Sequence, residues 1–197
     1  IIILAMNFEL IIDSRPSEVV IALLRDQRLI ELHKENNNNS YSVGDIYLGK
    51  VKKIVPGLNA AFVNVGHEKD GFLHYQDLGP NVNSYKKFTE KVISKKSNTA
   101  SLRNFRKEKE IEKSGIITDV LTSGDQILVQ VSKEAISSKG PRLTTEISIA
   151  GRNMILLPFS NKISLSNKIK SQQEKVRLKR LLKSIKPEGF GVIVRTV

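Results

Sequence analysis

Two phenylalanines lie in short apolar runs, each in a setting that suits base stacking. Phe62 stands in the run Ala-Ala-Phe-Val, and Phe72 follows Gly71 in the next run. If both runs are β-strands, alternation turns Ala61 and Val63 to the opposite face from Phe62. Two outward rings on adjacent strands offer the bases of a single-stranded nucleic acid a stacking surface, at about 1–3 kcal/mol per base. We expect Gly71 to keep the surface beside Phe72 open.

Lysines close to these rings add a second element of the same chemistry. Lys50, Lys52 and Lys53 follow one another in the preceding apolar run, where they can contact phosphates. A phenylalanine in an apolar strand is more often a core residue, however. The residues by themselves therefore leave core packing and base stacking about equally open.

The charge of the chain is strongly positive and unevenly distributed. Lys and Arg number 32 against 20 Asp and Glu, which gives a net charge of +12. The excess comes from residues 85–113, with 10 basic and 4 acidic side chains, and from residues 162–187, with 9 and 1. Such patches favour an anionic partner, with nucleic acid ahead of a membrane surface. A solvated basic face is the alternative.

Several other classes of protein are disfavoured. The chain has no cysteine, and its three histidines do not fall at helical ligand spacing. Its aspartates and glutamates do not cluster, so we predict no metal site. No apolar run approaches the roughly 20 residues that a membrane-spanning helix needs.

The pattern of apolar residues and turn signals predicts a mixture of strands and one clear helix. A β-meander is expected at residues 8–13, 18–24 and 28–35, followed by a polar linker at 36–40. Barrel strands are expected at 46–55, 58–65, 71–74 and 126–132, interrupted by a lysine-rich surface excursion at 79–113. Further strands are expected at 142–148, 153–158 and 191–197. A capping box of Ser171 and Glu174 begins a helix that ends before Pro187.

Three motifs in the middle of the chain resemble the S-one RNA-binding domain, which is an OB-fold barrel. They are residues 43–51 (VGDIYLGKV), 57–66 (GLNAAFVNVG) and 70–74 (DGFLH). The flanking segments 9–13 (ELIID), 19–24 (VVIALL), 139–151 (KGPRLTTEISIAG) and 191–196 (GVIVRT) resemble the N-terminal half of the ribonuclease E/G family. The resemblance runs in the family's order from Met6 to Val197, and only residues 79–113 lack distinctive matches.

The resemblance implies an α+β architecture, in which the OB-fold barrel is inserted in an RNase H-like subdomain and followed by a 5′-sensor region. The expected ranges are 6–40 for the first RNase H-like part, 41–133 for the barrel with its basic insertion, and 134–197 for the sensor region and the return to the RNase H-like part. It implies RNA-binding roles for Phe62, Phe72 and Lys139, in addition to the phosphate contact that we expect of Lys50. It further implies 5′-phosphate-binding roles for Gly151, Ile155, Arg195 and Thr196.

The implied activity is that of a cytoplasmic, homo-oligomeric endoribonuclease that cuts single-stranded RNA in rRNA processing and mRNA turnover. The implied magnesium ligands and the cysteine pair for zinc have no counterpart in this sequence. We therefore expect an N-terminal fragment, starting naturally at Met6, that binds RNA without cutting it. The alternative is a stand-alone RNA-binding or ribosome-associated module, in which Arg195 and Thr196 have no phosphate role.

Overall fold

The computed structural model describes residues 7–36, 41–94 and 101–196. The chain divides into two compact units, Ile1–Ser40 and Tyr41–Val197. Met6, most of the expected linker and Val197 lie outside the described residues.

The first unit is a three-stranded antiparallel meander. Its strands are β1 (Phe8–Ser14), β2 (Glu18–Arg25) and β3 (Arg28–Asn36), in the order β1-β2-β3. Asp26 and Gln27 join β2 to β3, and both have positive φ, 49° and 64°. This two-residue loop has the backbone sign of the turns that match the twist of a hairpin. Every side chain of β1 is exposed.

A closed five-stranded barrel forms the centre of the second unit. Its strands are β4 (Ile46–Val55), β5 (Ala60–Asn64), β6 (Gly71–His74), β7 (Gln126–Lys133) and β8 (Arg142–Thr144). They close in the order β4-β5-β6-β8-β7, with β6 and β8 parallel and the other neighbours antiparallel. This order is consistent with an OB-like fold. The range 41–133 holds four of these strands, and the fifth lies beyond it.

Alternating side chains of the five strands fill the barrel. The most deeply buried members of this core include Val51, Val63, Leu73, Val129 and Leu143. Gly71 belongs to this interior, because a Cβ there would lie 2.5 Å from Leu143. The expectation that Gly71 opens the outer surface was therefore wrong, since its missing side chain makes room for the core.

In the lysine-rich segment 79–113, the described residues 79–94 and 101–113 are packed structure rather than a surface excursion. Residues 82–93 form α1 (Val82–Ile93), on which Val82, Tyr85 and Thr89 are buried. The chain then returns along this helix, where the Glu108 amide donates to the Ser84 hydroxyl at 3.0 Å. The sequence interpretation missed this helix, although Val82 and Tyr85 fall at the i, i+3 spacing of a buried helical face.

A four-stranded sheet completes the second unit. Its strands are β9 (Ile149–Ala150), β10 (Met154–Pro158), β11 (Ile163–Leu165) and β12 (Phe190–Val194), in the order β11-β12-β10-β9. The parallel strands β11 and β12 are joined by α2 (Gln172–Ile185). The strand expected at 142–148 is shorter than predicted, and it belongs to the barrel.

Only one of the two hydrogen bonds of the expected capping box forms at the start of α2. The Ser171 hydroxyl accepts from the Glu174 amide at 3.2 Å, whereas the Glu174 carboxylate pairs with Arg177. Leu182 is the buried residue of α2, whereas Leu181 and Ile185 are exposed. Among the described residues, no helix is long and apolar enough to cross a membrane.

A second core joins α1 to the four-stranded sheet. It consists of Tyr85, Leu102, Ile147 and Phe159, with Phe88 and Phe105 packed against it. Phe159 follows β10 and is 2% exposed. Its φ of 58° is unusual for a bulky residue, so the surrounding packing holds it in a strained conformation.

Candidate nucleic-acid interface

Phe62 and Phe72 form a pair on the outer face of the barrel. They are opposite each other in the antiparallel register of β5 and β6. Their ring centroids are 5.8 Å apart and their planes meet at 68°, an edge-to-face arrangement. Both rings are half-buried, whereas Ala61, Val63 and Leu73 beside them are fully buried. The rings therefore lie outside the core, as strand alternation predicts.

The strand register continues this pair into a row of charged side chains around the barrel. Lys53 is opposite Phe62, Arg142 is beside Phe72, and Lys133 is opposite Arg142. Arg142 also makes a double hydrogen bond to the Asp77 carboxylate, at 2.9 and 3.1 Å. Sequence reasoning missed Arg142 and Lys133, because only the closed topology brings β7 and β8 beside the phenylalanines.

His74 is a third ring on this face that the sequence did not single out. Its centroid lies 6.5 Å from that of Phe72, with the planes tilted by 32°. The Nδ1 atom of His74 accepts from the Gln76 amide at 3.1 Å, so Nε2 carries the hydrogen of the neutral ring. His74 therefore adds a third, half-buried ring to this face.

The three lysines of β4 differ in their availability. A bulge between Val51 and Lys53 places both Lys52 and Lys53 on the outside. Lys52 pairs with the Asp70 carboxylate at 2.9 Å, which offsets part of its charge. Within the described chain, the exposed Lys50 and Lys53 ammonium groups have no such partner, so their charge is more available to an anion.

Lys139 lies on the exposed loop between β7 and β8. Its amide donates to the Ile136 carbonyl at 3.0 Å. The next residue, Gly140, approaches the backbone of Asp70 so closely that a Cβ would overlap it. The structure therefore brings the Lys139 loop to the start of β6, next to the strand that holds Phe72.

The four residues with implied 5′-phosphate roles meet at one edge of the four-stranded sheet. Gly151 begins the turn between β9 and β10, where its amide donates to the Met154 carbonyl at 2.8 Å. Arg195 follows β12; its amide donates to the Asn153 carbonyl at 2.9 Å and its Nε to the Arg152 carbonyl at 3.0 Å. These bonds fix Arg195 against the turn.

The terminal amino groups of Arg195 have no partner in the part of the chain that the structure describes. The Thr196 hydroxyl is 3.5 Å from that of Ser166. Ile155 lies within β10, opposite Ala150 and Ile193, and is half-buried. Within the described residues, Arg195 thus offers free terminal donors at the edge and Thr196 a hydroxyl shared with Ser166, while Gly151 and Ile155 form its backbone framework.

The described residues do not provide a metal centre. Over the ranges 7–36, 41–94 and 101–196, no three histidine, aspartate or glutamate side chains come together as ligands. The sequence also has no cysteine for a zinc link. The residues present therefore do not fit the magnesium and zinc that the resemblance implies.

An OB-like barrel with an outer aromatic face, joined to a sheet with a basic edge, defines a class of protein suited to nucleic acid. The family model described as "Ribonuclease E/G family" matches residues 148–197, which include Gly151, Ile155, Arg195 and Thr196. Curated relatives extend the similarity over most of the chain. The chain belongs to the ribonuclease E/G family.

Three of these relatives show the extent of the similarity. A protein named ribonuclease E from Synechocystis sp. is 40% identical over 161 residues, 81% of this chain and 20% of the relative. Ribonuclease G from Escherichia coli K12 is 32% identical over 191 residues, 97% of this chain and 35% of the relative. Ribonuclease G from Haemophilus influenzae is 33% identical over 188 residues, 95% of this chain and 34% of the relative. The chain spans about a fifth to a third of these relatives' lengths.

Proposed function

We propose that this chain binds single-stranded RNA on its barrel and senses the 5′-monophosphate of that RNA at the edge of the four-stranded sheet. The observation that carries the proposal is the fixation of Arg195 by the carbonyls of Arg152 and Asn153, which leaves its terminal amino groups without a partner among the described residues. An arginine held in this way is pre-organised for an anion.

The chemistry of a 5′-monophosphate suits this edge. A phosphate monoester carries more than one negative charge, and a guanidinium can bind two of its oxygens. The Thr196 hydroxyl can donate to a further oxygen. A 5′-hydroxyl end has no such charge, and a triphosphate is larger than a site fitted to the monoester. The edge can therefore distinguish RNA by its 5′ end.

The barrel supplies contacts to the rest of the RNA. Phe62 and Phe72 offer ring faces for bases, while Lys50, Lys53 and Lys139 contact phosphates. Stacking accepts any base, so this surface favours single strands without a fixed sequence. Barrel and edge belong to the same compact unit, so one RNA can contact both.

In the longer protein, this RNA-binding part would serve an endoribonuclease. Its relatives are named ribonuclease E and ribonuclease G. We propose cleavage of single-stranded RNA in rRNA processing and mRNA turnover, in the cytoplasm and by a homo-oligomer. Residues 6–40 would be part of an RNase H-like subdomain, and residues 134–197 the sensor region and the return to it. Magnesium and zinc ligands would come from residues other than those described here.

Two variants separate the two sites in one binding experiment. An unstructured RNA is prepared with either a 5′-monophosphate or a 5′-hydroxyl, and the affinity of the chain for each is measured. Arg195→Ala removes the preference for the monophosphate, worth about 1.5–3 kcal/mol for a hydrogen bond to a charged group. Phe62→Ala weakens the binding of both RNAs by the same amount, about 1–3 kcal/mol. Arg103→Ala removes an exposed arginine that is paired with Glu188. As the control, it changes neither the affinity for RNA nor the preference for the 5′-monophosphate.

The outcomes also test the alternative of a stand-alone RNA-binding module. Equal affinity of the unaltered chain for both RNAs overturns the 5′-sensing proposal and favours that module. Unfolding of the Phe62→Ala variant, measured by circular dichroism, shows instead that Phe62 is a core residue. We expect the RNA to remain intact when Mg²⁺ is added to the chain. Cleavage that persists after the chain is repurified would contradict an RNA-binding role without catalysis.

A further inference from the structure

Three segments of the chain converge where Arg195 and Thr196 leave the sheet. Strands β11 and β12 are parallel, with Leu165 opposite Val194, so both end at the same edge. The Ser166 amide donates to the Val194 carbonyl at 2.9 Å, which fixes the start of the next loop there. The turn at 151–154 joins the same edge through its bonds to Arg195.

The Ser166 hydroxyl connects this loop to the proposed phosphate site. It accepts from the Lys168 amide at 3.3 Å, and it is 3.5 Å from the Thr196 hydroxyl. The Ile169 amide donates to the Ser166 carbonyl at 3.1 Å, so the loop folds as a turn. The backbone of Lys168 is therefore held next to Thr196.

The converging segments are basic and contain no acidic residue. The stretches 151–154, 166–171 and 195–196 include Arg152, Lys168, Lys170 and Arg195. All four side chains are exposed, and in the described chain none is paired with a carboxylate. Four uncompensated cations at one edge exceed what a single terminal phosphate needs. The surplus points to a ligand with more than one phosphate.

We propose that Lys168 binds the first phosphodiester of the RNA, the phosphate that follows the terminal monoester held by Arg195 and Thr196. This inference rests on the 5′-sensing proposed above. A diester offers a single negative charge, which suits the point charge of a lysine better than a forked guanidinium. Lys170, two residues further along the loop, adds attraction without a fixed contact. Ser166 acts as a positioning residue through Lys168 and Thr196.

Replacing one charged phosphodiester of the RNA by a charge-neutral linkage tests this contact. A 5′-monophosphorylated RNA is made with a methylphosphonate either at the first linkage or at the third. For the unaltered chain we expect the first substitution to weaken binding by about 3- to 10-fold, the scale of one exposed hydrogen bond. For Lys168→Ala we expect no further loss from the same substitution, because its partner is gone. Lys183 is a matched exposed lysine near the C-terminal end of α2. For Lys183→Ala, the substitution at the first linkage should still weaken binding as much as it does for the unaltered chain.

Each result decides between the two proposals. Equal losses in the unaltered chain and in Lys168→Ala overturn the role of Lys168 and leave 5′-sensing intact. If the substitution at the third linkage lowers the affinity as much as the substitution at the first, the attraction is non-specific. This result also overturns the role of Lys168. A chain that binds 5′-monophosphate and 5′-hydroxyl RNA equally overturns 5′-sensing itself. Thermal unfolding of Lys168→Ala matches that of the unaltered chain, because the side chain is exposed.

Discussion

The two lysine-rich segments of the chain differ in how much of their positive charge is paired within the protein. In residues 85–113, much of the described positive charge is bound within the protein. Lys86 pairs with Asp125 at 2.7 Å, Lys87 pairs with Glu108, and Arg103 pairs with Glu188 at 3.3 Å. The Lys91 ammonium lies 5.4 Å from the centre of the Phe105 ring. Four of the eight basic side chains described in this segment thus contact another group of the protein, whereas Arg106, Lys107, Lys109 and Lys113 are exposed without an ion pair among the described residues.

In residues 162–187 the cations face outward. Arg177 pairs with Glu174 at 2.7 Å, and the Lys186 ammonium donates to the Phe190 carbonyl at 3.1 Å. The remaining basic side chains have no partner within the described residues: Lys162, Lys168, Lys170, Lys175, Lys179, Arg180 and Lys183. Net charge counted along a sequence therefore does not measure the charge that is available to a ligand.

The largest expected effect concerns the packing that holds the first segment. The Phe159 ring lies 4.6 Å from Tyr85, 5.8 Å from Phe88 and 5.2 Å from Phe105, between centroids. Phe159→Ala should lower the free energy of unfolding by about 3–5 kcal/mol. Val176→Ala, at an exposed position of α2, should change it by less than about 0.5 kcal/mol. Urea denaturation measures both, and a small loss for Phe159→Ala would contradict a structural role for the first segment.

A smaller loss of stability is expected from the ion pair of Lys86. Lys86 and Asp125 are only 22% and 21% exposed, and the Lys86 ammonium also donates to the Val120 carbonyl at 2.9 Å. Lys86→Met should cost about 1–3 kcal/mol of unfolding free energy, because Asp125 loses a partner. Lys183→Met, which removes an outward lysine, should cost less than about 0.5 kcal/mol. Similar losses for both variants would remove the distinction between the segments.

The pH dependence of stability sharpens this test. Burial opposes ionisation of Asp125, but hydrogen bonds from Lys86 and Thr122 outweigh it and hold its pKa below the usual value. The carboxylate therefore stabilises the fold above the unfolded pKa of about 3.9, and this contribution is lost as the pH falls through the lower folded value. Lys86→Met should lose less stability than the unaltered chain over that acidic range. An unchanged acid transition would contradict the coupling.

The smallest effect is expected in the salt dependence of RNA binding. Lys179, Arg180 and Lys183 are exposed and share one face of α2. Replacing all three by alanine should reduce the slope of log affinity against log salt for a long single strand by up to about 2, near 0.7 per phosphate contact. Replacing Lys87 should leave the slope nearly unchanged. A titration at several salt concentrations measures both, and equal slopes in the two variants would contradict the comparison.

Sequence patterns predicted much of this architecture because their signals are local. Strand alternation placed Phe62 outside the barrel, and the serine before α2 marked the start of that helix. Arg142, the parallel neighbour of Phe72, could not be predicted in this way, because the two residues lie on strands far apart in the chain. The helix α1 was missed although its buried residues Val82 and Tyr85 fall at the i, i+3 spacing that indicates a helix. The strained backbone of Phe159 has no signature in its residue type.

The parallel seam of the barrel has a consequence for how the chain folds. The seam pairs Phe72 with Arg142, about 70 residues apart, so its closure has a high entropic cost until the intervening chain is ordered. Hairpins such as β4–β5 can form early, whereas this pairing needs a long loop to close. The packing of α1 shortens the effective length of that loop. The helix thus contributes to the order in which the barrel forms, as well as to its final structure.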